Sequence, residues 1–238
     1  VFMMLFAINF NSFFFMIHLR LREAFTTEVV TFLVIAASSS ILIAFNINSI
    51  YGNMGDSMRH ASFAVATIMS TTGFTTENFD LWPELSRSLI VLLMFIGGCA
   101  GSTCGGMKVS RIIILFKSMK KELGLIVHPH QVKKISMDGH TVEHETVRSV
   151  NVYIVGYFLV FVISMVFLAF DNLDLITNFT AVASAINNVG PGLALAGPAS
   201  NFSVFSDPAK IVLIFDMLAG RLELFPMLLL FSPATWKK

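Results

Sequence analysis

Ser70-Thr71-Thr72-Gly73-Phe74-Thr75-Thr76 and Asn187-Asn188-Val189-Gly190-Pro191-Gly192-Leu193 are the two stretches on which the reading of this chain turns. A moderately apolar segment leads into each, residues 58–70 and 176–188. Segments of about a dozen residues are too short to cross a ~30 Å hydrocarbon core and suit re-entrant or buried positions. Each ends in a polar turn that contains glycine. Glycine suits such a turn because it takes dihedrals closed to other residues.

Longer apolar runs flank both stretches, at residues 29–45, 88–116, 150–170 and 211–231. Each is about long enough to span a membrane, which takes roughly 20 residues. The second run is long enough only with its glycine-rich interior included. Hydrophobic residues make up 55% of the chain and charged residues 13%, and the mean hydropathy is +0.75. A soluble domain carries about 25% charge. The composition therefore specifies an integral membrane protein in a lipid bilayer. The net charge of +1 argues against a polyanionic partner such as nucleic acid. Residues 1–17 are apolar from the first position, with neither a basic start nor a small-residue cleavage site. They read as the tail of a membrane helix that begins before Val1.

Basic residues concentrate in cytoplasmic loops. Arg20 and Arg22 form one cluster. Arg111, Lys117, Lys120, Lys121, Lys133, Lys134 and Arg148 form a second, and Lys237 and Lys238 a third. With these inside, the segment order becomes helix, half-helix, turn, helix, and it occurs twice in the same direction. The residues repeat too. The offset that places Gly73 on Gly190 places Ala64-Val65-Ala66-Thr67 on Ala181-Val182-Ala183-Ser184. A slightly larger offset places Asn78-Phe79 on Asn201-Phe202, Met94 on Met217 and Gly97 on Gly220. Internal symmetry of this kind marks duplicated units.

Non-helical backbone at membrane depth is tolerated only inside protein or beside water. Paired half-helices ending in glycine turns can point carbonyl oxygens at an axis and replace the water of a cation. The competing reading is a structural turn in an ordinary outer loop. The run Gly97-Gly98-Cys99-Ala100-Gly101-Ser102-Thr103-Cys104-Gly105-Gly106 interrupts the second long apolar stretch. Each Gly costs a helix about 1 kcal/mol relative to Ala. The run is either a close helix-packing surface or an unwound loop, and the short flanking apolar runs favour the loop. Cys99 and Cys104 read as small apolar fillers rather than a disulfide or metal pair.

Arg221 lies within the last apolar run, where an arginine costs at least about 2.5–3.5 kcal/mol. Snorkelling to an interface is the bland alternative. Glu223 does not share its helix face, so the first candidate partners of Arg221 are backbone carbonyls of the 97–106 loop. His140-Thr141-Val142-Glu143-His144 matches a zinc-protease pattern. It lacks a third ligand and a helical scaffold, and Gly139 adjoins it. His128-Pro129-His130 reads as a solvated turn. The sequons at Asn178 and Asn201 fit an outer face.

STTGFTT, FDLWP, MFIGGCAGSTCGGMKVSR, NNVGPGL, GRLELF and LFSPATW, in this order and spacing, resemble the TrkH family of bacterial potassium uptake proteins. The resemblance covers essentially the whole chain. It implies an all-α membrane protein of tandem helix–pore loop–helix repeats of the potassium-channel type, two of four copies, preceded by a partial transmembrane helix. Residues 1–22 would end the preceding helix and enter a cytoplasmic loop. Residues 23–116 would be the third repeat with its broken second helix, 117–148 a cytoplasmic linker, and 149–238 the fourth repeat. Thr71, Thr72, Gly73 and Phe74 would supply one quarter of a potassium filter. Asn188, Val189, Gly190 and Pro191 would supply another, though Val-Gly-Pro departs from the Thr-Gly-Phe pattern. Gly97, Gly98, Gly101, Ser102, Thr103, Gly105 and Gly106 would form an intramembrane gate with Arg221. The resemblance also implies a multi-pass inner-membrane location, a homodimer, a cytoplasmic nucleotide-binding regulator of the TrkA type, no cofactor and no enzymatic activity. The rival reading from the residues is an ion-coupled secondary transporter. The parallel direction of the two units argues against its usual inverted repeats.

Overall fold

The computed structural model describes residues 1–128 and 134–222, together with Pro226, Met227, Leu229 and Trp236. Pro129 and His130, Lys133, Glu223, Lys237 and Lys238 lie outside the described residues, as does most of the LFSPATW motif. The described chain is mostly helical. Helices α1 (Phe2–Phe6), α2 (Phe10–Ile17) and α3 (Leu21–Ala24) come first. A long helix α4 (Thr27–Tyr51), a short α5 (Met54–Met69), and α6 (Glu84–Met94) with α7 (Val109–Val127) follow. A two-stranded hairpin, β1 (Ser136–Met137) and β2 (His140–Thr141), leads to the long α8 (His144–Leu168), the short α9 (Leu175–Asn187) and α10 (Asp207–Leu222).

Helices α4 and α8 each hold 25 residues. At 1.5 Å per residue such a helix reaches about 37 Å, enough to cross a bilayer. They are the two described helices long and apolar enough to do so, the second counted with its one-turn extension to Asp171. The start of α4 is set by Thr26, whose hydroxyl accepts from the Val29 N–H. Gly52, at φ +66°, ends it in the left-handed conformation that suits glycine. The short helices begin on side-chain caps. Asn53 accepts from the Gly55 N–H. Asp174 accepts from the N–H and hydroxyl of Thr177, and the same two bonds hold its carboxyl below the usual range. With 16 and 13 residues, α5 and α9 reach only about 24 and 20 Å. The last eight residues of α9's buried face run unbroken from Thr180 to Asn187, so this short helix sits inside protein.

The expected single helix over residues 1–17 is divided. Asn9 caps α2 by accepting from the Asn11 N–H, and Ala7 and Ile8 leave the helical path. The carbonyls freed at the break are used by another segment, as described below. The 117–148 linker carries its own structure. Asp138 and Gly139 take φ of +51° and +82°, as a tight two-residue hairpin turn requires. Asp138 Oδ1 accepts from the N–H and hydroxyl of Thr27, at 2.7 and 2.5 Å, and so fastens the hairpin to the start of α4. His140 is on a strand and His144 opens a helix. The zinc-protease pattern therefore lacks the one helix face that would align its ligands. Asn178, in one of the two sequons, is buried, with its amide directed at the Leu173 carbonyl.

Candidate functional site

The two short helices end alike. After α5, the Thr71 N–H donates to the Ile68 carbonyl (3.1 Å) and Thr72 to Thr67 (3.0 Å). After α9, 117 residues later in each case, Asn188 donates to Ala185 (3.0 Å) and Val189 to Ser184 (2.9 Å). Thr71 and Asn188 then take φ of +52° and +56°. Both are non-glycine residues in the left-handed region, an uncommon state that directs attention to a site. Gly73 and Gly190 follow at φ +80° and +109°. The two turns meet. A Cβ added at Gly73 would lie 2.6 Å from the Val189 carbonyl oxygen, and one at Gly190 would lie 3.5 Å from the Gly73 Cα. Thr71 to Phe74 and Asn188 to Gly190 line one side of a cleft of about 630 Å³, which Leu213 and Met217 of α10 complete. Pro191 is buried behind it.

Between α6 and α7 the chain leaves the helical path and returns. The Gly97 N–H donates to the Met107 carbonyl (2.8 Å) and the Val109 N–H to the Gly98 carbonyl (3.2 Å), which closes the neck of a loop. A Cβ at Gly97 would meet the carbonyl oxygens of Gly105 and Met107 at 2.6 and 2.8 Å. Glycine is demanded here by the approach of backbone to backbone. The body of the loop rests in the break between α1 and α2. Cys99 N–H donates to the Ala7 carbonyl (2.9 Å), and the Thr103 hydroxyl to that of Phe6 (3.2 Å). Both cysteines are free thiols and buried.

The far side of the loop reaches the paired turns. Gly105 N–H donates to Thr71 Oγ1 (3.0 Å). Cβ atoms at Gly105 and Gly106 would meet Asn188 Cβ at 2.8 Å and Asn187 Oδ1 at 2.7 Å. Arg221, near the end of α10, donates from a terminal guanidinium nitrogen to the Thr103 carbonyl at 2.6 Å. All the residues singled out in the two turns, the glycine-rich run and Arg221 thus belong to one connected region. Among the described residues of the 117–148 segment, none takes part in these contacts.

A scan of protein families matches residues 1–238 to TrkH, described as a cation transport protein. The chain belongs to the TrkH family. Its relatives include the Trk system potassium uptake protein TrkH of Salmonella typhimurium, 38% identical over 80% of this chain and 39% of that protein. The TrkH of Vibrio parahaemolyticus is 42% identical over 79% of this chain and 38% of its own length. TrkG of Escherichia coli is 34% identical over 88% and 43%. The crystal structure of the potassium transporter TrkH from Vibrio parahaemolyticus superposes with a TM-score of 0.90 at 36% identity. That match covers 100% of this chain and 52% of the other. This TrkH-family chain spans about two fifths of the length of the curated relatives it matches. Its relatives are named as transport proteins, a non-enzymatic group.

Two buried acids of this chain, Asp216 and Glu28, carry no motif in the sequence. Asp216 is fully buried in α10 and accepts from the Ser164 hydroxyl of α8 at 2.8 Å. Glu28 is 5% exposed, and its Oε1 accepts from the N–H groups of Ala100 (2.7 Å) and Ser110 (2.9 Å). The signal for Asp216 was present, since it is an acid inside an apolar run, the same reason that singled out Arg221. Glu28 sits beside the basic cluster at Arg20 and Arg22, where an acid reads as solvated.

Proposed function

We propose that the full-length protein carries potassium across the cytoplasmic membrane through a channel-like pore. In this reading, Thr71, Thr72, Gly73 and Phe74 and Asn188, Val189, Gly190 and Pro191 form two quarters of its selectivity filter. The observation that carries it is the meeting of the two turns, each led by a short buried helix with the same terminal hydrogen bonds. Backbone carbonyls placed on rigid, closely packed turns can replace an ion's water without reorganising. The tandem-repeat architecture draws on the same facts. Helices α4 and α8 are equal in length, and one-turn helices at Phe79–Leu81 and Phe202–Val204 both follow an asparagine cap. The remaining two repeats would lie in the part of the relatives that this chain does not span.

The 97–106 loop and Arg221 form the gate below the filter. The loop touches the filter turn through Gly105 and Thr71, and Arg221 holds the loop through Thr103. A fixed guanidinium beside the path repels a cation, and the loop obstructs it. The test is expression of the full-length protein in cells lacking other potassium importers. Growth at low potassium and rubidium flux in liposomes of the purified protein are the expected results. A folded protein that passes neither potassium nor rubidium, with or without its regulator, overturns the reading. Slow flux that requires a sodium or proton gradient would favour a coupled carrier.

The linker faces the cytoplasm, and there the proposed homodimer receives a nucleotide-binding regulator of the TrkA type. The charge bias of Lys117, Lys120, Lys121, Lys134 and Arg148 supports that orientation. Ser136 lies exposed on the hairpin. A cysteine at this position should react with an impermeant maleimide only after the cells are opened. Equal labelling in intact cells would reverse the topology.

A further inference from the structure

We infer that Glu28 is the latch of the 97–106 loop, a positioning residue that holds the loop in its blocking place; this rests on the gate reading above. An unwound loop inside a membrane protein leaves N–H groups without helical partners, and each must be satisfied by something. One oxygen of Glu28 serves two of them, on Ala100 within the loop and on Ser110 just beyond it. A carboxylate suits this task better than an amide. Hydrogen bonds to an ionised acceptor are roughly twice as strong as neutral ones, and a buried carboxylate is costly unless it is held this way.

Glu28 is well placed to be rigid. It lies in the first turn of α4, where the helix dipole favours an acid. Its neighbour Thr27 is fixed by Asp138 of the hairpin through two hydrogen bonds. The other half of the chain supplies an internal control. The 117-residue offset that pairs the two filter turns pairs Glu28 with Glu145 in the first turn of α8. Glu145 is exposed. The helix of that half that corresponds to α6 is α10, which stays helical through Gly220, the counterpart of Gly97. The acid is buried in the half where Gly97 begins a loop, and exposed in the half where Gly220 is still helical.

Cys99 reports the loop directly, since it is fully buried and adjoins Ala100. The experiment uses the full-length protein carrying Glu28→Ala, Glu28→Gln or, as a control, Glu145→Ala. The first readout is maleimide modification of Cys99 in membranes, followed by peptide mass spectrometry. Glu28→Ala should speed it by at least about tenfold, the equivalent of ~1.4 kcal/mol. Glu28→Gln keeps an acceptor and should give a smaller increase, and Glu145→Ala none. The second readout is regulator-free rubidium flux in liposomes, which should rise with the same ranking while the potassium-to-sodium ratio stays constant. A merely structural residue would not raise flux and leave selectivity intact. Cys99 as protected in the folded Glu28 variants as in the native protein overturns the latch. Exposed Cys99 with unchanged flux upholds the latch and overturns the gate reading instead. Should Glu28→Ala fail to accumulate, Glu28→Gln carries both measurements.

Discussion

Replacing Gly73 with alanine should reduce potassium-over-sodium discrimination by at least about tenfold, and Gly190→Ala should do so less severely. Two independent costs meet at Gly73. Its φ of +80° is strained for any residue with a Cβ, by about 1–2 kcal/mol. The added Cβ also falls 2.6 Å from the Val189 carbonyl oxygen, which is backbone and cannot swing away. The turn must therefore shift, and it carries with it the carbonyl of the facing turn. Gly190 has the first cost but not the second, because its nearest neighbour to a new Cβ is the Gly73 Cα at 3.5 Å. A displacement worth ~1.4 kcal/mol in ion preference is already tenfold. The check is competitive uptake of potassium and sodium by the full-length protein in cells lacking other importers. Unchanged discrimination in both variants would remove these turns from the filter.

The apolar runs, the two half-helices and the interrupted helix were legible in the sequence because membrane burial imposes length and composition together. Residues 29–45 lie within α4 and 150–170 lie largely within α8. The glycine-rich run is a loop because its glycines sit where backbone meets backbone, at Gly97, Gly105 and Gly106. Pattern matching placed Gly220 opposite Gly97 but gave no reason for it. The structure supplies one: a Cβ at Gly220 would strike the Ile186 carbonyl oxygen, since α10 passes tightly over the end of α9.

What the sequence could not give was set by partners distant in the chain. The break at Ala7 follows from no local breaker, for it contains neither Gly nor Pro. It exists where the 97–106 loop supplies donors to the freed carbonyls of Phe6 and Ala7. Glu28 has the same character. Its role depends on Ala100 and Ser110, more than 70 residues away in sequence. Asp80 is a third case. It accepts from the Arg87 guanidinium at 3.2 Å and from the Ala194 N–H at 3.1 Å, and so ties the connection after α5 to the connection after α9.

Arg221→Ala should raise regulator-free potassium flux by roughly thirtyfold. In the gate reading, taking a charge separation of ~8 Å and an effective dielectric of about 20, Coulomb's law gives the guanidinium about 2 kcal/mol of repulsion against a passing cation. That energy is about thirtyfold in rate. The substitution also removes the donor that holds the Thr103 carbonyl, so the loop loses one of its ties. Removal of part of the 97–106 loop should raise flux as well. In the proposed gate the two changes would act on one barrier, and residues in direct contact are not additive. The double variant should therefore be little leakier than the worse single one. Arg221→Lys separates charge from geometry. It keeps the positive charge but replaces the planar guanidinium with a compact ammonium. It should leak less than Arg221→Ala and more than the native protein. The measurement is rubidium flux through purified full-length protein in liposomes without its regulator. If Arg221→Ala remains folded and its flux is unchanged or abolished, Arg221 is a structural tie between α10 and the loop, and the barrier lies elsewhere.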